Sequence, residues 1–274
     1  MERLVLVHGS VVGGRPTWRG QLPLRERFEL LVLDRPGFPP NAPVERVDFD
    51  NDAGLVAGLL RPGDHLVGHS YGGVISLLAA ARQPELIRSL TVIEPPATRI
   101  ALETSAAAAF AASGKELYAS GTRDDPETFL RRFLVAVGST FDPPSPLTPE
   151  LEQGAQALVV ERGPWEAEIP LAALAAAPFP KLVVSGAHHP AFDAICDVLE
   201  REFDAERVVL EGYGHTVQRH PEFNGVLADF VLRARAANEL AGRQTAGGRV
   251  AEGERHVGEA ERHRRAARRP CDNL

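Results

Sequence analysis

The sequence predicts an α/β fold: a doubly wound, mostly parallel sheet with helices on both faces and a helical insertion in the second half of the order. Three observations carry this. Short runs rich in Val, Leu and Ile recur along the 274 residues, each closed by Gly, Pro or a polar residue and each followed by a helix-length stretch. The runs are apolar throughout instead of alternating, which suits strands covered by helices on both sides. The alternation breaks once, between Pro96 and Pro178, where helix signals continue without a convincing strand.

In chain order, strands are expected at residues 4–7, 29–33, 65–67, 90–93, 182–184 and 208–210. Helices are expected at 18–27, 51–60, 71–82, 192–202 and 221–237. Right-handed crossovers in such an order place the ligand crevice at the carboxyl ends of the strands, so functional residues should follow the strands. Inside the insertion, Asp125-Pro126-Glu127 reads as an N-cap, a first-turn Pro and an acid that complements the helix dipole, with Gly138 as the stop. Thr148-Pro149-Glu150 repeats the device, and Gly163 should close that helix. Phe129, Phe133 and Val137 recur at four-residue spacing and make one apolar face. The alanine-rich run from Ser105 to Ala112 is read as a helix that Gly114 ends.

The expected division is a core in two parts, 1–96 and 179–240, a helical cap over the strand ends at 97–178, and a disordered tail at 241–274. That tail carries eight Arg, five acids and almost no large apolar residue, too little to offset its ordering entropy. The whole chain has 30 basic and 37 acidic side chains, a net charge of -7; the +3 of the tail leaves -10 on residues 1–240. Such a balance argues against nucleic acid or an anionic membrane as partner. Two cysteines make no disulfide framework, no Cys/His cluster has zinc spacing, and neither a metal nor an organic cofactor is expected. The opening MERLVLVHGS holds too few apolar residues for a signal peptide or a membrane span, so a cytoplasmic location is expected.

Chemistry concentrates in Gly68-His69-Ser70-Tyr71-Gly72-Gly73, directly after one apolar run and directly before a helical pattern. A sharp strand-to-helix turn of this kind holds its serine in strained dihedrals, and the helix start presents amide groups and a positive dipole end beside Ser70. With this motif the sequence resembles the α/β-hydrolase family over roughly residues 1–238. His8-Gly9-Ser10 is similar to its oxyanion loop, Asp34-Arg35-Pro36-Gly37-Phe38 to its D-x-P-G turn, and Gly214-His215 to the site of its histidine. The family's two N-terminal antiparallel strands have no counterpart, so the resemblance implies a six-stranded, all-parallel sheet. It also implies a serine esterase or a related hydrolase.

Each role has a physical basis. Ser70 is the expected nucleophile, and its hydroxyl stays inert until a base takes its proton. His215 is the expected base, on a glycine-rich loop past the last strand and in the chain order Ser, acid, His. The amides of Ser10 and Tyr71 are the expected oxyanion hole. His8 and His69 should shape their own motifs, while His188, His189 and His220 read as surface residues or as supports of the site. Asp34 reads as a turn residue.

The acid is open between two residues. Ser185-Gly186-Ala187-His188-His189-Pro190, where many relatives carry an Asp, has none. Glu94 ends the apolar run before Pro95, a position some relatives use; Asp193, on the following loop or helix start, is the alternative. The expected function is cleavage of a small carboxylic ester through an acyl-enzyme. A serine in place of a nucleophilic aspartate argues against dehalogenase and epoxide hydrolase chemistry. Phe110, Phe129, Phe133, Phe141 and Trp165 are candidate lining residues. A binding or sensing protein on the same fold, with an idle triad, is the reading from another class. Oligomeric state is not legible in the sequence.

Overall fold

The computed structural model describes residues 1–236, so the segment expected to be a tail, 241–274, lies outside the described residues. Six strands form one parallel sheet: β1 (Arg3–Val7), β2 (Glu29–Val32), β3 (Asp64–His69), β4 (Ile87–Ile93), β5 (Lys181–Ser185) and β6 (Glu206–Val209). Their spatial order is β2-β1-β3-β4-β5-β6. The connections reverse direction between β1 and β3, whose register pairs Leu4 with His65 and Val7 with Gly68. A crevice therefore opens at the carboxyl ends of these two strands.

The both-faces-apolar pattern has a direct structural meaning. Along β1, Val5 and Val7 join one core cluster while Leu4 and Leu6 join another; β5 divides the same way, with Val183 against Leu182 and Val184. The first face is covered by α2 (Phe49–Leu59), α3 (Tyr71–Arg82) and α8 (Pro190–Phe203). The second is covered by Trp18, the 3-10 segment Arg19–Glu26, and the helical residues 223–231, α9. Each fully buried Val, Leu or Phe here contributes about 1.5–3 kcal/mol relative to exposure. Contacts group Met1–Val231 into one unit; residues 232–236, which are helical, belong to a second.

Two expected helices differ in form. The stretch 18–27 is a 3-10 segment preceded by the four-residue α1 (Gly14–Thr17), because Pro23 inside it has no N–H for an α ladder. Between β4 and β5 lie α4 (Ser105–Ala119), α5 (Pro126–Ala136), α6 (Pro149–Val159) and α7 (Leu171–Ala176). The side chains of Thr104, Asp125 and Thr148 cap the first three. Gly114 does not end α4, which runs five residues beyond it to Ala119. A Cβ there would lie 2.7 Å from the Trp165 ring, so this glycine makes room for an indole instead of stopping a helix. Likewise α6 stops at Val159, before Gly163, where Val160 and Arg162 turn to pair with the backbone of Val47. No helix among the described residues is long and apolar enough to cross a membrane.

Candidate active site

The turn after β3 is tight. The Ser70 amide donates to the Ile93 carbonyl of β4 at 2.8 Å, and Ser70 itself has φ 54° and ψ -126°, a conformation that costs energy for a side-chain-bearing residue. A Cβ on Gly72 would lie 2.4 Å from the carbonyl oxygens of Val7 and His8, so only glycine lets α3 begin so close to β1. Ser70 is thereby set at the head of α3, with its Oγ free to face the crevice.

Two further side chains line up behind it. Ser70 Oγ is 2.8 Å from His215 Nε2, and His215 Nδ1 is 2.8 Å from Glu94 Oε2. Ser70, Glu94 and His215 are all buried, and Glu94 is wholly so. The second oxygen of Glu94 accepts the Gly186 amide at 2.7 Å, from the loop after β5. Burial favours the neutral acid, but His188 and His215 outweigh it and pull the Glu94 carboxyl down to about 2. Asp193 does not join this chain: it sits in the first turn of α8, its side chain 34% exposed, 3.8 Å from Arg207.

The histidines divide by function. His69 donates from Nε2 to the His215 carbonyl at 2.7 Å, and burial together with His215 lowers its pKa to about 3, so it stays neutral. His8 donates from Nδ1 to the Gly9 carbonyl at 2.7 Å and accepts the Arg35 amide at Nε2 at 2.9 Å. Arg35 Nη1 donates to the same Gly9 carbonyl at 2.8 Å. In a trans peptide the C=O and the N–H point in opposite directions, so these two bonds aim the Ser10 amide the other way. Gly9 packs on Ser70, its missing Cβ only 2.9 Å from Ser70 Cβ. Among the described residues neither the Ser10 amide nor the Tyr71 amide donates a hydrogen bond.

A second buried carboxylate lies beside Ser10. Glu161 accepts the Ser10 hydroxyl and pairs with Arg35 Nη2 at 3.0 Å, while Arg35 Nε pairs with Asp52 at 2.8 Å. One guanidinium thus serves two buried acids. Burial holds both carboxyls above their ordinary pKa despite Arg35. The sequence reading assigned nothing to this cluster. The available signal was the one that marked Glu94: Glu161 ends the apolar run Leu158-Val159-Val160. Asp34, expected as a turn residue, accepts the Gly14 amide at 2.7 Å.

Two chambers meet at Ser10 and Ser70. The inner is lined by Phe110, Tyr118, Phe133, Trp165 and Phe192, with Glu161 and Thr98 as polar members. The outer includes His69, His215, Phe141, Gln218 and Arg219, with Phe133 shared between the two. Phe129, a candidate lining residue in the sequence, is instead fully buried among Val11, Leu130, Leu134 and Leu158. Glu94, His188 and His215 bring potential metal-ligand atoms within 4.8 Å of one another. Two of these atoms are already joined in the Glu94–His215 hydrogen bond, and the set is one short of the four ligands of a closed zinc site.

Comparison with known proteins bears on the family. The chain is 29% identical over 143 residues to the biotin biosynthesis bifunctional protein BioHC of Teredinibacter turnerae, covering 48% of this chain and 25% of that protein. It is 33% identical over 93 residues to the pimeloyl-[acyl-carrier protein] methyl ester esterase of Aeromonas hydrophila, covering 33% and 36%. The chain thus spans between a quarter and about a third of the length of these curated relatives. A thermophilic esterase from Thermogutta terrifontis superposes with a TM-score of 0.58 at 20% identity, over 85% of this chain and 90% of that one. The family model described as the alpha/beta hydrolase family matches residues 4–223, most of the described chain, and the protein belongs to that family.

Proposed function

We propose that the protein is a serine hydrolase that cleaves a small carboxylic ester through an acyl-enzyme intermediate. The observation that carries this reading is the continuous chain of hydrogen bonds from Ser70 Oγ through His215 to Glu94. His215 Nε2 takes the Ser70 proton as Oγ attacks the ester carbon, and Glu94 stabilises the imidazolium that forms. The amides of Ser10 and Tyr71 receive the developing oxyanion. His215 then gives its proton to the leaving alcohol, and the C–O bond to that alcohol breaks. A water, deprotonated by the same nitrogen, attacks the acyl-Ser70 carbonyl and releases the acid. None of these steps needs a metal or an organic cofactor.

The acyl group occupies the inner chamber and the alcohol leaves through the outer one. Because the wall of the inner chamber is mostly apolar and its acidic member, Glu161, is already held by Ser10 and Arg35, it suits an uncharged acyl chain. The inserted segment 97–178 acts as a cap, since Phe110, Tyr118, Phe133 and Trp165 close that chamber. A fluorophosphonate probe tests the reading: Ser70 in the folded protein should be labelled, and His215→Ala should abolish labelling. An unlabelled Ser70 would instead mark a binding protein on this fold.

A further inference from the structure

His188 stands between two hydrogen-bond acceptors. Its Nε2 lies 3.2 Å from the Val137 carbonyl, just past the end of α5, and its Nδ1 lies 3.1 Å from Glu94 Oε1. The Nδ1 contact is close but out of line for a hydrogen bond, which leaves this buried nitrogen without a partner as it stands. A neutral imidazole has one N–H and can serve only one of two acceptors; its bare nitrogen would face an oxygen lone pair. An imidazolium has both protons and can serve both, by a small ring rotation that aligns Nδ1–H with Glu94.

The groups that face His188 favour that charge. The Glu94 carboxylate faces it from the end of β4, and the His215 ring, from the loop after β6, is 5.8 Å away. His189 precedes α8 and Asp193 lies in its first turn, while the Phe192 ring stacks on His188. The end of α5 contributes the Val137 carbonyl. Burial pushes His188 toward the neutral form, but Glu94, the Val137 carbonyl and Asp193 prevail and raise its pKa above the ordinary histidine value. His189 is lowered by burial and by His188, so the second proton belongs to His188.

We propose that His188 is a positioning residue that rests on Glu94 as an imidazolium and acts as an acid switch: while charged it shares the carboxylate with His215, and on losing its proton to solvent it leaves the whole carboxylate charge to His215. Two imidazoliums around one carboxylate repel each other, so His215 takes up the Ser70 proton less readily while His188 is charged. The rate consequence rests on the hydrolase reading; the charge of His188 does not.

The test is a pH profile of kcat/KM for p-nitrophenyl acetate between pH 5 and 9, with wild type and His188→Asn. Asparagine keeps an N–H donor near the Nδ1 position without charge. The wild-type acid limb should show two inflections, the upper one a partial loss as His188 gains its proton, and in H188N it should show one. The loss assigned to His188 should be several-fold in wild type and absent in H188N. An unchanged limb in H188N would overturn the switch. Independently, 15N-histidine NMR of the full chain should show both His188 nitrogens protonated at pH 6.5, and this proton should be lost at lower pH in Glu94→Gln. A single neutral tautomer at pH 6.5 would overturn the proposal even if H188N failed to fold. Absence of ester hydrolysis at every pH would sink the hydrolase reading and the switch together, while the NMR titration would still decide the charge.

Discussion

Two buried glutamates, Glu94 joined to Ser70 through His215 and Glu161 bonded to Ser10, respond to burial in opposite ways. Glu94 has two imidazoles and a backbone amide to itself, and its carboxyl is pulled far down. Glu161 shares one guanidinium with Asp52 and is pushed up. Desolvation is the largest influence in both places; the ratio of donors to acids decides which sign survives. The first arrangement holds a negative charge ready beside a base. The second fixes the Gly9 carbonyl and the Ser10 hydroxyl around Arg35 and carries one acid more than it can neutralise.

Substitutions can break the contrast. The largest effect is expected at Glu94→Gln, which should cut kcat/KM for p-nitrophenyl acetate by on the order of 1,000-fold or more, whereas Asp193→Asn should stay near wild type. The opposite pattern would move the acid to α8. Next, Arg35→Met leaves Glu161 and Asp52 buried without a cation and should cost about 3–5 kcal/mol in urea unfolding at pH 7, with part of the loss recovered as the pH falls. A cost under 1 kcal/mol would mean that the acids are neutral without Arg35.

The smallest effect sharpens the comparison through pH. Glu94 has a folded pKa below its unfolded value, so its stabilisation is complete above about pH 4.5 and is lost as pH falls toward about 2. Glu161 has a raised folded pKa, so its burial is least costly in acid and becomes destabilising as pH rises through that value. Between pH 3 and 6, Glu161→Gln should therefore steepen the acid loss of stability and Glu94→Gln should flatten it. Each contributes at most about 1.4 kcal/mol per pH unit. Parallel urea-midpoint curves for the two variants would refute the assignment of opposite signs.

How legible all this was depended on whether the signal was local. The strands were readable because both faces of the sheet demand apolar side chains, and the turn at Ser70 because Gly68 and Gly72 are required within five residues of chain. Glu94 was readable as a carboxylate ending an apolar strand, though choosing it over Asp193 needed the position of the last loop. The cluster of Arg35, Asp52 and Glu161 was not readable as a cluster: Glu161 ends an apolar run as Glu94 does, but Arg35 is 126 residues away and nothing local joins the two. Gly114 misled for a related reason. Its purpose is set by Trp165, a residue distant in sequence, so a rule about helix ends could not see it. His188 also gave no local sign of its two acceptors, one from the end of β4 and one from past the end of α5.

The Glu94 carboxylate has one more consequence, which concerns assembly instead of reaction. It ties the end of β4 to Gly186 and to His215, bridging separations of 92 and 121 residues, and Ser70 meets His215 across 145. Contacts so far apart in sequence close late, after the entropy of the intervening loops has been lost. An active-site probe on Ser70 therefore doubles as a clock for folding: reactivity should lag behind burial of the β1–β3 pair and appear only once the final strand and its loop have docked.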